Sequence, residues 1–155
     1  MYEHKTLFLN YTTYDLRWEQ DTINPQTRPD IMVLSHETDE SNLHPYWYAH
    51  VVKIFHVNIH HYGDRSRSDK VQHKDVLLVR WFGRNLGHRS GFGARRLPRL
   101  EFLSEDDPDA FIFLDPDVVI CGVYLIPIAR QEEDGDEDWQ SFDVNMYVPT
   151  LTIYD

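Results

Sequence analysis

At 155 residues the chain has single-domain length, and a chain of this size is expected to bury roughly 68–70% of its unfolded surface, enough for a core that needs no covalent staple. Cys121 is the only cysteine, so an intrachain disulfide is excluded; inside the apolar run Val118-Val119-Ile120-Cys121-Gly122-Val123 it reads as a core thiol, not a nucleophile. A net charge of −11 argues against nonspecific adhesion to nucleic acid or anionic lipid, and with neither a signal-peptide start nor an apolar run near the ~20 residues of a bilayer span, a soluble intracellular protein is expected.

Apolar and polar residues alternate along most of the chain, which predicts half-buried strands and little helix. The first strand is expected over residues 5–14; its Asn10-Tyr11-Thr12 matches a glycosylation sequon by chance in an intracellular chain. Asn24-Pro25 and Arg28-Pro29-Asp30 are turn chemistries, and a second strand follows at 30–34. After a flexible stretch at 37–42 comes the best case of alternation, residues 47–61. Trp47, Ala49, Val51, Phe55, Val57 and Ile59 share one face, with Lys53 as the exception, and His50, His56, Asn58 and His60 lie on the other with Val52 and Ile54.

Tyr62-Gly63-Asp64 ends that strand, 64–74 is a long loop, and 75–82 is the next strand. Residues 84–94, with Gly91-Phe92-Gly93, form a flexible basic loop before a strand at 99–103. Asp107-Pro108-Asp109-Ala110-Phe111 and Asp115-Pro116-Asp117 each set an acid before a proline, the signature of a short helical turn. Strands at 118–126 and 142–153 complete the chain, with a loop at 131–138 between them. The fold class is all-β, one barrel or strongly bent sheet with one or two short helical turns, with no internal repeat and no linker.

Charge is unevenly placed along this frame. Between Asp64 and Leu100 stand ten Lys or Arg against three Asp, a local sum of +7, which leaves −18 on the other residues. Glu105-Asp106-Asp107 and the acidic run at 132–138 read either as solvated loops or as a surface for a basic partner. The arginines Arg84, Arg89, Arg95, Arg96 and Arg99 beside Phe92 suit a phosphate backbone or an acidic peptide, and equally suit pairing with the chain's own carboxylates.

Large rings at Tyr46, Trp47, Tyr48 and Trp81 are candidates for the walls of an aromatic cage that binds a quaternary ammonium group, although Trp47, Trp81 and Phe82 also read as core. His56, His60 and His61 crowd one strand end, but His56 and His60 are two pleats apart, roughly 13 Å, too far to grip one metal ion without a bend. No HExxH, CxxC pair, G-x-S-x-G or phosphate-binding glycine loop is present, so no cofactor, no metal site and no catalytic residue is expected.

Three segments in this order, Tyr46-Trp47-Tyr48-Ala49-His50-Val51-Val52-Lys53-Ile54-Phe55, Val76-Leu77-Leu78-Val79-Arg80-Trp81-Phe82-Gly83-Arg84 and Leu114-Asp115-Pro116-Asp117-Val118-Val119-Ile120-Cys121-Gly122-Val123, resemble a bromo-adjacent homology (BAH) domain over about residues 30–128. Leu9-Asn10-Tyr11-Thr12-Thr13-Tyr14-Asp15, His44-Pro45-Tyr46-Trp47-Tyr48-Ala49, Ala94-Arg95-Arg96-Leu97-Pro98-Arg99, Asp138-Trp139 and Val144-Asn145-Met146 extend a second resemblance over nearly the whole chain. It is to the C-terminal region of transposon-associated fungal proteins from mushroom-forming species, which continue into a basic, glycine-rich tail. The BAH resemblance implies a nuclear, chromatin-type module that binds without catalysis, with Tyr46, Trp47, Tyr48 and Trp81 as cage candidates.

The leading expectation is therefore a non-catalytic module binding a basic protein partner such as a histone tail. DNA or RNA binding through the Arg84–Arg99 loop is the alternative. A metal-dependent hydrolase using the cluster from His56 to His61, and a segment that folds back on a larger parent protein, are further readings. No membrane partner is expected.

Overall fold

Runs of β-branched and aromatic residues fit a pleated surface better than a helix, and strands form at nearly every apolar segment of this chain. The computed structural model describes residues 2–12, 18–36, 44–60, 71–88, 97–128 and 141–145. In chain order the elements are β1 (Tyr2–His4), β2 (Leu7–Thr12), β3 (Trp18–Ile23), β4 (Asp30–Leu34), β5 (Tyr46–Ile59), β6 (Gln72–Arg84), β7 (Arg99–Phe102), β8 (Phe111–Leu114), a 3-10 turn (Pro116–Val118), β9 (Val119–Gly122), β10 (Tyr124–Ile128) and β11 (Ser141–Asn145).

All strand pairs are antiparallel. The large sheet runs β10-β11-β7-β6-β5-β4-β9, with β1 added to β5 and β8 to β6, while β2 and β3 form a separate hairpin. The two ends of that order, β9 and β10, are joined by Val123 alone, so the sheet curls back on itself as a barrel. The expected single strand at 118–126 is thus two strands, split at Val123. Its N–H donates to Asp30 O (2.9 Å), and its side chain is buried where the chain crosses from β4 to β11.

The barrel interior takes residues from each wall: Met32, Tyr48, Phe82, Leu100, Cys121 and Val144, with Val123. A second core lies on the outer face of β4, β5 and β6, where Ile31, Ala49, Val51, Ile54, Leu77 and Val79 are covered by Leu9 and Ile23 of the β2–β3 hairpin. Burial of each large apolar side chain stabilises the fold by about 1.5–3 kcal/mol. The hairpin is also held through Asp21, whose carboxylate accepts from Gly122 N–H (2.8 Å) and approaches Arg28 (3.4 Å).

Lys53 marks a slip in phase. The pairing of β5 with β6 shifts between Val51 and Lys53, so Val52 is an extra, bulged residue. Beyond it Ile54 joins Ala49 and Val51 in the outer core, and His56 lies on that side, opposite to where strict alternation from residue 47 puts it.

Asp115 caps the 3-10 turn as expected: its side chain accepts from Asp117 N–H, and Pro116 opens the turn. The expected turn at 107–111 is shorter. Asp107 accepts from Asp109 N–H (2.9 Å) and its carbonyl from Ala110 N–H (3.0 Å), after which Phe111 leaves as strand β8. Parts of the expected strands 5–14 and 142–153 lie outside the described residues.

Candidate functional site: an acidic and aromatic strand edge

The four cage candidates sit on two sides of the barrel wall, because neighbours on a strand point to opposite faces. Tyr48 faces the interior and is 2% exposed, and Tyr46 packs against the same interior cluster. Burial pushes the Tyr48 phenol well above its ordinary range, with Tyr46 and Cys121 adding to the shift and Arg84 opposing it. Trp47 and Trp81 lie on the outer face, edge to face at 5.9 Å between ring centroids, with His36 edge-on to Trp47, also at 5.9 Å. The structure brings the two tryptophans together and separates them from the two tyrosines.

Of the arginines, Arg99 pairs with Asp143 (3.2 Å), its cross-strand partner on β11, and Arg84 is half-buried at the end of β6. Arg89, Arg95 and Arg96 lie outside the described residues. His61 also lies outside them, and His60 follows the end of β5. His56 meets residues of other strands: His4 (Nε2 to Nδ1, 2.7 Å) and Asp75. Cys121 is buried, and burial, with the charge of Asp21 adding, pushes its thiol up to about 11, the opposite of what a nucleophile needs.

A surface of which the sequence suggested only the acidic run Glu105-Asp106-Asp107 lies along one edge of β6. At one end β6 pairs with β7 (Phe82 with Phe102), and at the other with β8 (Leu77 to Arg80 with Leu114 to Phe111). Between them Trp81 N–H donates to Ala110 O (2.8 Å), and Leu103 N–H donates to Trp81 O (3.1 Å). The segment from β7 to β8 therefore follows β6 as one strand course, interrupted by a turn that is pinned at both ends.

That turn and its far flank are acidic. Glu105, Asp106, Asp107, Asp109, Asp115 and Asp117 are all exposed, and no Lys, Arg or His occurs between Arg99 and Arg130. Between the two acidic stretches Phe111, Ile112 and Phe113 are exposed at 42%, 45% and 66%. Phe113 stands edge-on to the buried Phe55 (5.9 Å), and the Arg80 guanidinium lies 5.5 Å from the Phe111 ring while pairing with Glu105 (3.1 Å). Among the described residues β8 pairs with β6 and with no other strand, so its outer backbone edge faces none of them. The edge thus offers main-chain donors and acceptors, exposed aromatic rings and a surrounding negative charge.

Compared with known proteins, the chain matches no family model, no curated protein and no solved structure.

Proposed function

We propose that this chain is a non-catalytic interaction module that binds an extended basic peptide, such as a histone tail, along the outer edge of β8. The observation that carries this reading is the exposed Phe111-Ile112-Phe113 strand, flanked on both sides by exposed carboxylates and paired on one side only among the described residues. A peptide added as a strand satisfies the open backbone groups, at a net gain of about 0.5–1.5 kcal/mol per hydrogen bond. Its alternate side chains then reach the phenylalanine rings, while its lysines and arginines meet the acids, which steer encounter and favour basic sequences. The net charge of −11 acts in the same direction at longer range.

The test is a calorimetric titration with basic tail peptides, methylated and unmethylated, at two salt concentrations. Binding that weakens as salt rises and is lost in Phe113→Ser, with the fold intact by circular dichroism, is expected. Absence of binding tighter than millimolar for every tail sinks the reading.

A further inference from the structure

We infer that His4, His56 and Asp75 form a binding site for a divalent transition-metal cation with a preference for imidazole, such as Zn2+. Three adjacent strands supply one donor each. Tyr2, His56 and Asp75 lie in one row across β1, β5 and β6, and His4 lies two residues along β1 on the same face, opposite Ile54. The Val52 bulge makes this possible. If alternation ran unbroken through Val52, with no bulge, His56 would point to the face that His50 occupies, away from His4.

The ligand atoms of the three side chains all lie within 4.8 Å of one another, and His4 Nε2 is 2.7 Å from His56 Nδ1. Metal–nitrogen bonds of about 2.0–2.1 Å in a tetrahedron put neighbouring donors about 3.3 Å apart. Entry of an ion therefore needs the imidazoles to part by about half an ångström and the carboxylate to swing inward, within reach of side-chain rotation at a half-open surface. Two imidazoles and one carboxylate are a donor set suited to Zn2+, Co2+, Ni2+ or Cu2+, with the remaining positions left to water or a partner's side chain.

The surroundings point the same way. Tyr2 stacks on the His56 ring (4.9 Å, 26°), which holds its plane. The His73 ring stands 6.3 Å from that of His56, on the next same-face position of β6 from Asp75. A hydrogen bond between an exposed and a half-buried imidazole accounts for neither the carboxylate nor the third histidine. This inference is independent of the peptide-binding reading, since it uses other residues and another ligand.

The test is isothermal titration of untagged, metal-free full-length protein with ZnCl2, alongside the visible absorption of added Co2+. One equivalent is expected to bind. His4→Gln, His56→Gln and Asp75→Asn should each weaken binding about tenfold or more, while His88→Gln, beyond the far end of β6, leaves it unchanged. His4 and Asp75 are exposed, so their variants carry the test even if the His56 variant unfolds. No saturable binding, or affinity unchanged in both His4→Gln and Asp75→Asn, overturns the inference.

Discussion

Gly122→Ala probes the seam where the β2–β3 hairpin meets the barrel. A methyl group at residue 122 would stand 2.7 Å from Asp21 Oδ2 and 2.9 Å from Ile23 Cδ1, closer than carbon atoms tolerate. Ile23 is buried in the outer core, so it cannot retreat into solvent. The carboxylate must move instead, and it then loses the hydrogen bond from Gly122 N–H (2.8 Å) and its place beside Arg28. Loss of a hydrogen bond to a charged group costs about 1.5–3 kcal/mol, and overpacking adds about 1–3 kcal/mol. A total of about 3–5 kcal/mol is a large part of the ~5–15 kcal/mol by which native domains are stable. In urea denaturation followed by circular dichroism the midpoint should fall by about 1 M or more, given a slope of about 1–3 kcal/mol per M. Asp21→Ala removes the obstructing group, so Asp21→Ala/Gly122→Ala should be less destabilised than the sum of the single changes by about 1 kcal/mol or more. A Gly122→Ala protein within about 0.5 kcal/mol of the parent, or strict additivity in the double variant, would refute this account of the seam.

Cys121 should resist thiol reagents in the native state and react on unfolding. Because burial raises its thiol from an ordinary 9.0 to about 11, the folded chain holds that proton to higher pH than the unfolded chain. The resulting stability is fully present below pH 9.0 and is lost as pH rises to about 11, by about 2–3 kcal/mol, which urea midpoints across that range will show. Leu100→Ala empties a fully buried barrel position and should cost about 2–5 kcal/mol by the same assay. Deleting Val52 removes only the residue that has no partner on β6 and leaves Val51 opposite Val79 and Lys53 opposite Leu78, so it should keep the cooperative transition at a cost of no more than about 3 kcal/mol, and Val52→Thr, at a 37% exposed position, should stay within about 0.5 kcal/mol.

What could be read from the sequence follows where the physics is local. Alternation and β-branched residues place β4 at Asp30–Leu34 and locate β5, β6 and β7, and the Asp115-Pro116-Asp117 cap marks the 3-10 turn. β3 was not anticipated because Glu19, Gln20, Asp21 and Thr22 give it a polar composition; it is a strand through its pairing with β2. β1 was not anticipated because three exposed residues carry no periodicity and gain their form from β5. β8 was hidden behind Asp107-Pro108, whose cap-like chemistry closes one turn and no more. The sites were harder to see for the same reason. Counting along one strand groups His56 with His60, whereas register and a bulge group it with His4 and Asp75, which are 52 and 19 residues away in the chain. The Lys53 exception was the one local sign of that bulge.

The segment Val79-Arg80-Trp81-Phe82 shows why fold and surface chemistry are inseparable on β6. Val79 enters the outer core and Phe82 the barrel interior, so the two layers are fastened by residues three apart on one strand. Arg80 sits between the Phe102 and Phe111 rings and reaches Glu105 and Leu103 O, which ties the acidic turn to the sheet. Trp81 pins that turn with both of its backbone groups while its ring meets Trp47 on the far face. The exposed edge of β8 is therefore backed by a strand whose other side is core, so the peptide proposed to dock there would cost little ordering entropy on the protein's side. Asp75 lies on the same strand two residues before Leu77, the partner of the last residue of β8, so one element sets the geometry of both the β8 edge and the histidine cluster. A change that shifts the register of β6 must disturb the two together, while Phe113 and His4, each at a strand that borders only one of the sites, can be altered independently.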